Sequence, residues 1–348
     1  MGVIKLIVKC CLGSFFLLLT SIIIVPTAAY SKDQVNVLGW WGYLDSEEIQ
    51  EEIEKKCNVS FSYDEYYSND EFLRRWNNSK KGDYDIIIFS ETIYNVVRDR
   101  IDDKNGELYK EKERFLPIIK KRYEQKRFAS NVLFFAHSLT GFLWNPRIIT
   151  LSDSDDIKQI FYKAKGKYKL LIDDPVEVGL LVEEAYRNES NSGFTMEKFF
   201  SLMRDSQVFI SNEFNYLYKD SEFALSYTWS GAAIDYSVLS DEGYQFLIHP
   251  RYSYVVSDLI ASLNTENPTS CVVRVLTSND VAGFVNEKLF YFTPYGLNKL
   301  TDNEVYNNLY SNFTYMLPKL KWIDLANEER YAELNVVWEE IKLHLTKL

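Results

Sequence analysis

Asp174 and Glu177 stand three residues apart in Asp173-Asp174-Pro175-Val176-Glu177, shortly after the strand-like run Tyr168-Lys169-Leu170-Leu171-Ile172. A proline one place after an acid marks a helix start, so the two carboxylates share one face of a first helical turn. Acids placed there cap the helix and complement its dipole. Facing a cavity, the same pair holds a cation; at a set separation, two carboxylates hydrolyse glycosides as acid and base or nucleophile. Position alone favours capping. The second chemistry is aromatic. Trp40-Trp41-Gly42-Tyr43 follows the short β-type run Val35-Asn36-Val37-Leu38, and Trp229 lies in Tyr227-Thr228-Trp229-Ser230-Gly231, ahead of a small-residue turn. Rings with a polar edge fill cores or line ligand clefts, and a lone tryptophan is more often core.

The remaining motifs carry less. Asp153, Asp155 and Asp156 lack the glycine and distal glutamate of a calcium loop and read as a helix cap. His137, His249 and His344 are dispersed, and neither HExxH nor a paired CxxC occurs, so no metal or cofactor is expected. His137 has no GxSxG turn and no Ser/Asp arrangement, which leaves a serine hydrolase without support. Asn58-Val59-Ser60 and Asn77-Asn78-Ser79 match the glycosylation tripeptide, a pattern that arises often by chance.

Composition narrows the partners. Of 348 residues, 46% are hydrophobic and 26% charged, which supplies a large core, excludes a disordered chain and suggests two domains. Fifty acids against 39 bases give a net charge of −11, a balance that argues against nucleic acid and suits a neutral or cationic ligand. The 25 tyrosines and 7 tryptophans provide rings of the kind a cleft uses.

The elements that must position these residues begin after an address segment. Lys5 and Lys9 form a basic start, Leu12 to Val25 is mostly apolar and uncharged, and Pro26-Thr27-Ala28-Ala29-Tyr30-Ser31 supplies small residues for cleavage. Residues 1–31 read as a secretory signal peptide, cut after Ala29 or Ser31, whose loss of two lysines takes the charge from −11 to −13. An uncleaved anchor is the alternative, but the apolar run is borderline for a bilayer and broken by Pro26. Cys10 and Cys11 are not placed like a lipid-modified cysteine. A soluble, periplasmic protein is expected, in which Cys57 and Cys271 either pair or remain buried thiols.

Past the signal, the run 35–38 leads to a helix opened by Asp45 with Glu48 in capping-box position. Val59-Ser60-Phe61-Ser62-Tyr63 alternates as a strand, residues 69–79 form an amphipathic helix, and Asp85-Ile86-Ile87-Ile88-Phe89 is a strand buried on both faces. This order predicts a doubly wound parallel α/β sheet, with ligands at the carboxyl ends of its strands. Trp40 to Tyr43 and Ser90-Glu91-Thr92 fall at that edge. The pattern restarts near Thr150 with a helix over 155–164, the strand 168–172 and the helix after Asp174, and the final forty residues read as helical. Two comparable αβ units without a flexible linker predict two lobes joined by crossing strands.

Taken in order, these clusters resemble the periplasmic spermidine/putrescine-binding proteins of ABC importers. The family's strand-N-W-x-x-Y opening is similar to Leu38-Gly39-Trp40-Trp41-Gly42-Tyr43, its Y-x-S-N-E to Tyr66-Tyr67-Ser68-Asn69-Asp70, and its YDVVVPS to Tyr84-Asp85-Ile86-Ile87-Ile88-Phe89-Ser90. Ser138-Leu139-Thr140-Gly141 resembles the Thr-x-x-Gly stretch before the crossing, Asp173 to Val178 the D-D-x-x-E-V motif, Trp229-Ser230-Gly231 W-x-G, and Phe290-Tyr291-Phe292-Thr293-Pro294 G-Y-P-T-P. The likeness spans residues 35–295 in colinear order.

The resemblance implies a two-lobed periplasmic-binding-protein fold of type II, with residues 32–142 and 258–300 in one lobe and 143–257 and 301–348 in the other. It implies a monomer that captures a polyamine and delivers it to a membrane ABC permease, without catalysis. Trp40, Tyr43, Trp229 and Tyr291 would wall the cleft, Asp174 and Glu177 would take an ammonium group, and Ser90 would add polar contacts. Alternating carboxylates and rings suit a chain of cations separated by methylenes. One departure stands out. Aligned on Leu259, the family's W-x-D-x-L-A segment puts Val255 at its tryptophan and Ser257 at its aspartate, with Asp258 one place off and predicted to face away. A different solute on the same fold, an amino-acid derivative, peptide or other cation, is therefore the alternative. A secreted carboxylate hydrolase and a scaffold whose cleft is filled by side chains such as Trp41 are the others. Trp41 and Gly42 also replace residues that are polar in the family.

Overall fold

Short apolar and alternating runs become ten strands in a computed structural model that describes residues 33–101, 108–189, 192–212, 223–239, 243–296, 304–323 and 327–347. Residues 1–31, read from the sequence as a signal peptide, lie outside the described residues. The strands are β1 (Asp33–Trp40), β2 (Val59–Tyr66), β3 (Ile86–Ser90), β4 (Val132–Trp144), β5 (Lys169–Leu171), β6 (Val208–Ile210), β7 (Leu225–Trp229), β8 (Gln245–Leu247), β9 (Tyr254–Ser262) and β10 (Lys321–Trp322). They are ordered β2-β1-β3-β9-β4-β7-β5-β6, with β10 on β9 and β8 on β4.

The predicted parallel winding holds at both ends: β1 pairs in parallel with β2 and β3, and β5 with β6 and β7. Between these blocks, β9 runs antiparallel to β3 and β4, and β4 antiparallel to β7 and β8, while the short β10 pairs with β9 in parallel. β4 and β9 are the crossing strands. β4 pairs with β9 from Val132 to Leu139, then with β7 from Thr140 to Trp144, so one 13-residue strand, buried throughout, links the two blocks. A strand buried on both faces needs apolar residues on both, which is why Val132-Leu133-Phe134-Phe135-Ala136 is continuous rather than alternating.

The helices follow the sequence signals with one correction. The helix after the first aromatic cluster is Glu47–Cys57, its N-cap is Ser46 with no side-chain cap bond, and Asp45 instead pairs with Lys288 at 2.5 Å. The predicted helix over 69–79 is Asn69–Asn78, capped by Ser68. That over 155–164 is Ile157–Lys163, with a capping box between Asp156 and Gln159, so the Asp153 to Asp156 cluster does act as a cap. The helix after the Asp-Asp-Pro segment is Pro175–Ala185, and the long terminal helix is Glu328–Leu345. Cys57 and Cys271 form a disulfide, with Cα atoms 5.7 Å apart, that ties helix Glu47–Cys57 to helix Asn267–Leu276. Among the described residues, no helix is long and apolar enough to cross a membrane.

Candidate functional site

The carboxyl end of β1 begins the site. Gly42 adopts φ +78°, a left-handed conformation that costs an ordinary residue energy, and the chain turns there. Trp40 and Tyr43 point inward as a result. Across from them, β9 supplies Val256 and Asp258, β7 ends in Trp229, and helix Pro175–Ala185 presents Asp174 and Glu177. Tyr291 arrives just after helix Asn279–Leu289, which ends on Phe290 at φ 53°. Together these residues line a cavity of about 270 Å³, with Ser90 and Ser138 at its wall and Trp41, Tyr67, Asn212 and Lys288 also bordering it. All seven residues selected from the sequence (Trp40, Tyr43, Ser90, Asp174, Glu177, Trp229 and Tyr291) are brought together in this one cavity.

Its rings form a connected wall. Trp40 packs on Tyr66 at 4.5 Å between centroids and meets Trp229 edge-on at 6.2 Å. Tyr43 meets Tyr291 edge-on at 6.1 Å. Gly231 is fixed by this wall, because a Cβ there would overlap the Leu289 carbonyl oxygen and lie 2.5 Å from Tyr291 Cε1.

Three carboxylates face the cavity, each almost fully buried. Asp174 Oδ1 accepts the backbone N–H groups of Val176 and Glu177 at 2.9 and 2.8 Å, and Oδ2 accepts Asn69 Nδ2 at 2.7 Å. The capping reading is therefore borne out, and the capping side chain also faces the cavity. Glu177 Oε2 accepts Trp229 Nε1 at 2.8 Å. Asp258 Oδ1 accepts Trp40 Nε1 at 3.1 Å, and Oδ2 accepts the Tyr43 hydroxyl. Burial pushes Asp174 up to about 6 even against its two backbone donors. It also pushes Asp258 up to about 6, against the bonds from Tyr43 and Trp40. Glu177 is raised well above the usual carboxylate range by burial first, then by the charges of Asp174 and Asp258. Glu177 thus senses the charges of both other acids across the cavity. Lys288, the one cation among the described lining residues, is occupied by Asp45.

Asp258 corrects the sequence-based register. Val256 and Asp258, two places apart, share the cavity face of β9, whereas Ser257 points to the other side and meets His137 Nδ1 at 3.1 Å. The W-x-D-x-L-A pattern thus corresponds to Val256-Ser257-Asp258-Leu259-Ile260-Ala261, with its aspartate present and its tryptophan replaced by Val256. The prediction that Asp258 faces away is overturned.

Sequence reasoning also missed Tyr66, whose ring backs Trp40 and whose hydroxyl donates to the Ile88 carbonyl at 2.8 Å, and Asn69. Both stand at matching positions of the Y-x-S-N-E resemblance, Tyr66 at its tyrosine and Asn69 at its asparagine, and that is the signal that could have found them. The turn that carries Asp174 is braced from behind through its neighbour Asp173. Trp338 and Lys342 of the terminal helix bond the neighbouring Asp173 at 2.7 and 3.3 Å, and Lys342 also reaches Asp70 at 3.3 Å. Among the described residues, no group of three or more His, Cys, Asp or Glu side chains is placed to hold a metal ion.

No protein-family model and no curated protein matches the chain. Solved structures do. A putative spermidine/putrescine ABC transporter protein from Listeria monocytogenes superposes with a TM-score of 0.73 at 15% identity, covering 90% of this chain and 100% of that one. A spermidine/putrescine ABC transporter substrate-binding protein of Streptococcus pneumoniae superposes at 0.68 and 15% identity, with coverage of 90% and 100%. The binding protein MotA of A. tumefaciens, in complex with glucopine, superposes at 0.66 and 12% identity, covering 89% and 99%. Ten mixed strands, flanking helices and these superpositions make the chain a mixed α/β protein with the two-lobed fold of ABC-transporter solute-binding proteins.

Proposed function

We propose that the protein is an exported solute-binding protein that captures a polyamine, a cation of the putrescine or spermidine kind, and delivers it to a membrane ABC permease. The observation that carries this reading is the cavity itself: three buried carboxylates with raised pKa values, walled by aromatic rings, and no cation of the chain paired to any of the three among the described contacts. An ionised carboxylate buried without a counter-charge weakens a fold, and an ammonium ligand supplies that charge. Asp174 and Glu177 would hold one ammonium group and Asp258 another. Trp40, Tyr43, Trp229 and Tyr291 would pack on the methylenes between, with Ser90 adding a polar contact. In this reading residues 32–142 with 258–300, and 143–257 with 301–348, are lobes that close on the ligand. The protein acts as a periplasmic monomer after removal of residues 1–31 and performs no catalysis.

The test is isothermal titration of purified protein, freed of ligand by unfolding and refolding, against putrescine, spermidine and spermine, with arginine and a dipeptide as controls. Micromolar binding of a polyamine, lost in Asp174→Asn and Trp229→Ala, is expected. Silence across the polyamines refutes the ligand class. Val256, where the polyamine-binding family has tryptophan, favours one second reading: the same fold taking another amine, such as an amino-acid derivative. Binding of arginine or the dipeptide alone would select it.

A further inference from the structure

Trp41 and Tyr67 have no part in the inner cavity's chemistry, yet both border it. Their rings stack at 5.9 Å between centroids with 23° between planes, and they remain 43% and 39% exposed. Each ring rides on fixed backbone. Trp41 N–H donates to the Tyr66 carbonyl at 3.0 Å, just before the Gly42 turn; Tyr67 N–H donates to Glu71 at 2.9 Å, and its carbonyl accepts Asn212 Nδ2 at 2.9 Å. Two large rings are thus held in register at the opening, each with about two-fifths of its surface still exposed.

Charge changes along the same path. The inner end presents Asp174, Glu177 and Asp258; the outer end presents Lys288 already neutralised by Asp45. Among the described lining residues, the carboxylates open to a second ammonium are the inner ones, because Asp45 is taken by Lys288. The outer end favours a flat, uncharged group.

We propose that Trp41 and Tyr67 form an outer subsite, so that the preferred ligand is an amine whose cationic end enters the cavity and whose flat apolar substituent stacks at the opening. The proposal rests on the cation reading of the inner cavity. Stacking on two pre-positioned rings adds about tenfold in affinity.

The experiment titrates the protein with putrescine and with N-benzylputrescine, and repeats both with Trp41→Ala and Tyr67→Ala. The expected result is a roughly tenfold preference for the benzyl compound in the parent. Either substitution abolishes that preference while putrescine affinity stays within twofold. Equal affinities in the parent overturn the subsite and leave the cation reading intact, which would assign the exposed pair to another surface role. A preference that survives both substitutions also overturns it, because the substituent would then sit elsewhere. Failure of both compounds to bind refutes the cation reading and the subsite with it.

Discussion

Asp258→Asn separates a carboxylate held for a ligand from one held for the fold. In the ligand-free protein Asp258 is buried and its pKa is raised from 3.8 to about 6, with burial outweighing the bonds from Tyr43 and Trp40. A shift of that size corresponds to about 3 kcal/mol between the protonated and ionised forms. The folded-state value lies above the unfolded one, so the stabilisation from protonation is complete below about pH 4 and is lost as pH rises through about 6. At neutral pH the ionised group therefore weakens the ligand-free fold. Asparagine keeps an acceptor and an amide donor for Trp40 and Tyr43 but carries no charge. Asp258→Asn should raise stability at pH 7.5 by about 1–3 kcal/mol, a few degrees in Tm, while weakening putrescine binding at least about tenfold. Because the parent takes up a proton at lower pH, roughly half of the gap should close by pH 5 and the remainder by about pH 3 to 4. Thermal unfolding at those three pH values reads this directly. A variant equally destabilised at all of them would show Asp258 to be a structural acceptor, and the reasoning would fail.

Three further outcomes are expected. Ligand affinity should fall as pH drops through about 6, as Asp174 and Asp258 take up protons that a cation must displace; titration calorimetry in buffers of different ionisation enthalpy near pH 6 should register proton release on binding. Removing the disulfide by Cys57→Ser with Cys271→Ser frees a loop spanning 214 positions and should cost about 5 kcal/mol, seen as a lower guanidinium midpoint that reductant reproduces in the parent. Gly231→Ala pushes a methyl into Tyr291 and the Leu289 carbonyl, so it should lower stability by about 1–3 kcal/mol and weaken ligand binding disproportionately, measured by unfolding and titration side by side.

Much of this was legible from residue order, and what escaped has physical causes. β1 to β3 announced themselves by alternation and an isoleucine run, and Asp-Asp-Pro marked its helix by chemistry that any such turn obeys. Face assignment in β9 was a different matter. All nine residues of Tyr254–Ser262 are buried, so no apolar alternation tells which side meets the cavity, and a one-place slip exchanged Asp258 for Ser257. Asp45 looked like a cap because its spacing to Glu48 was right; its ion pair with Lys288, 243 positions away, lay beyond any local signal. The Cys57–Cys271 bond likewise depends on two helices meeting across the sheet edge. The antiparallel course of β4 and β9 follows from where the chain returns, which periodicity does not encode.

The terminal helix Glu328–Leu345 gives the cavity a place in time as well as in space. Trp338 and Lys342 hold Asp173, the residue beside a cavity acid, and Lys342 holds Asp70, the neighbour of Asn69. Every described side chain that lines the cavity is made before residue 292, yet the braces come from helix Glu328–Leu345, made later. A chain growing from its amino end can bury β1 to β9 while the 173–174 turn still lacks its backing. The support of the cavity is thus completed only once helix Glu328–Leu345 has been made, and a product cut short before Trp338 would retain the described cavity residues without the support that braces the 173–174 turn.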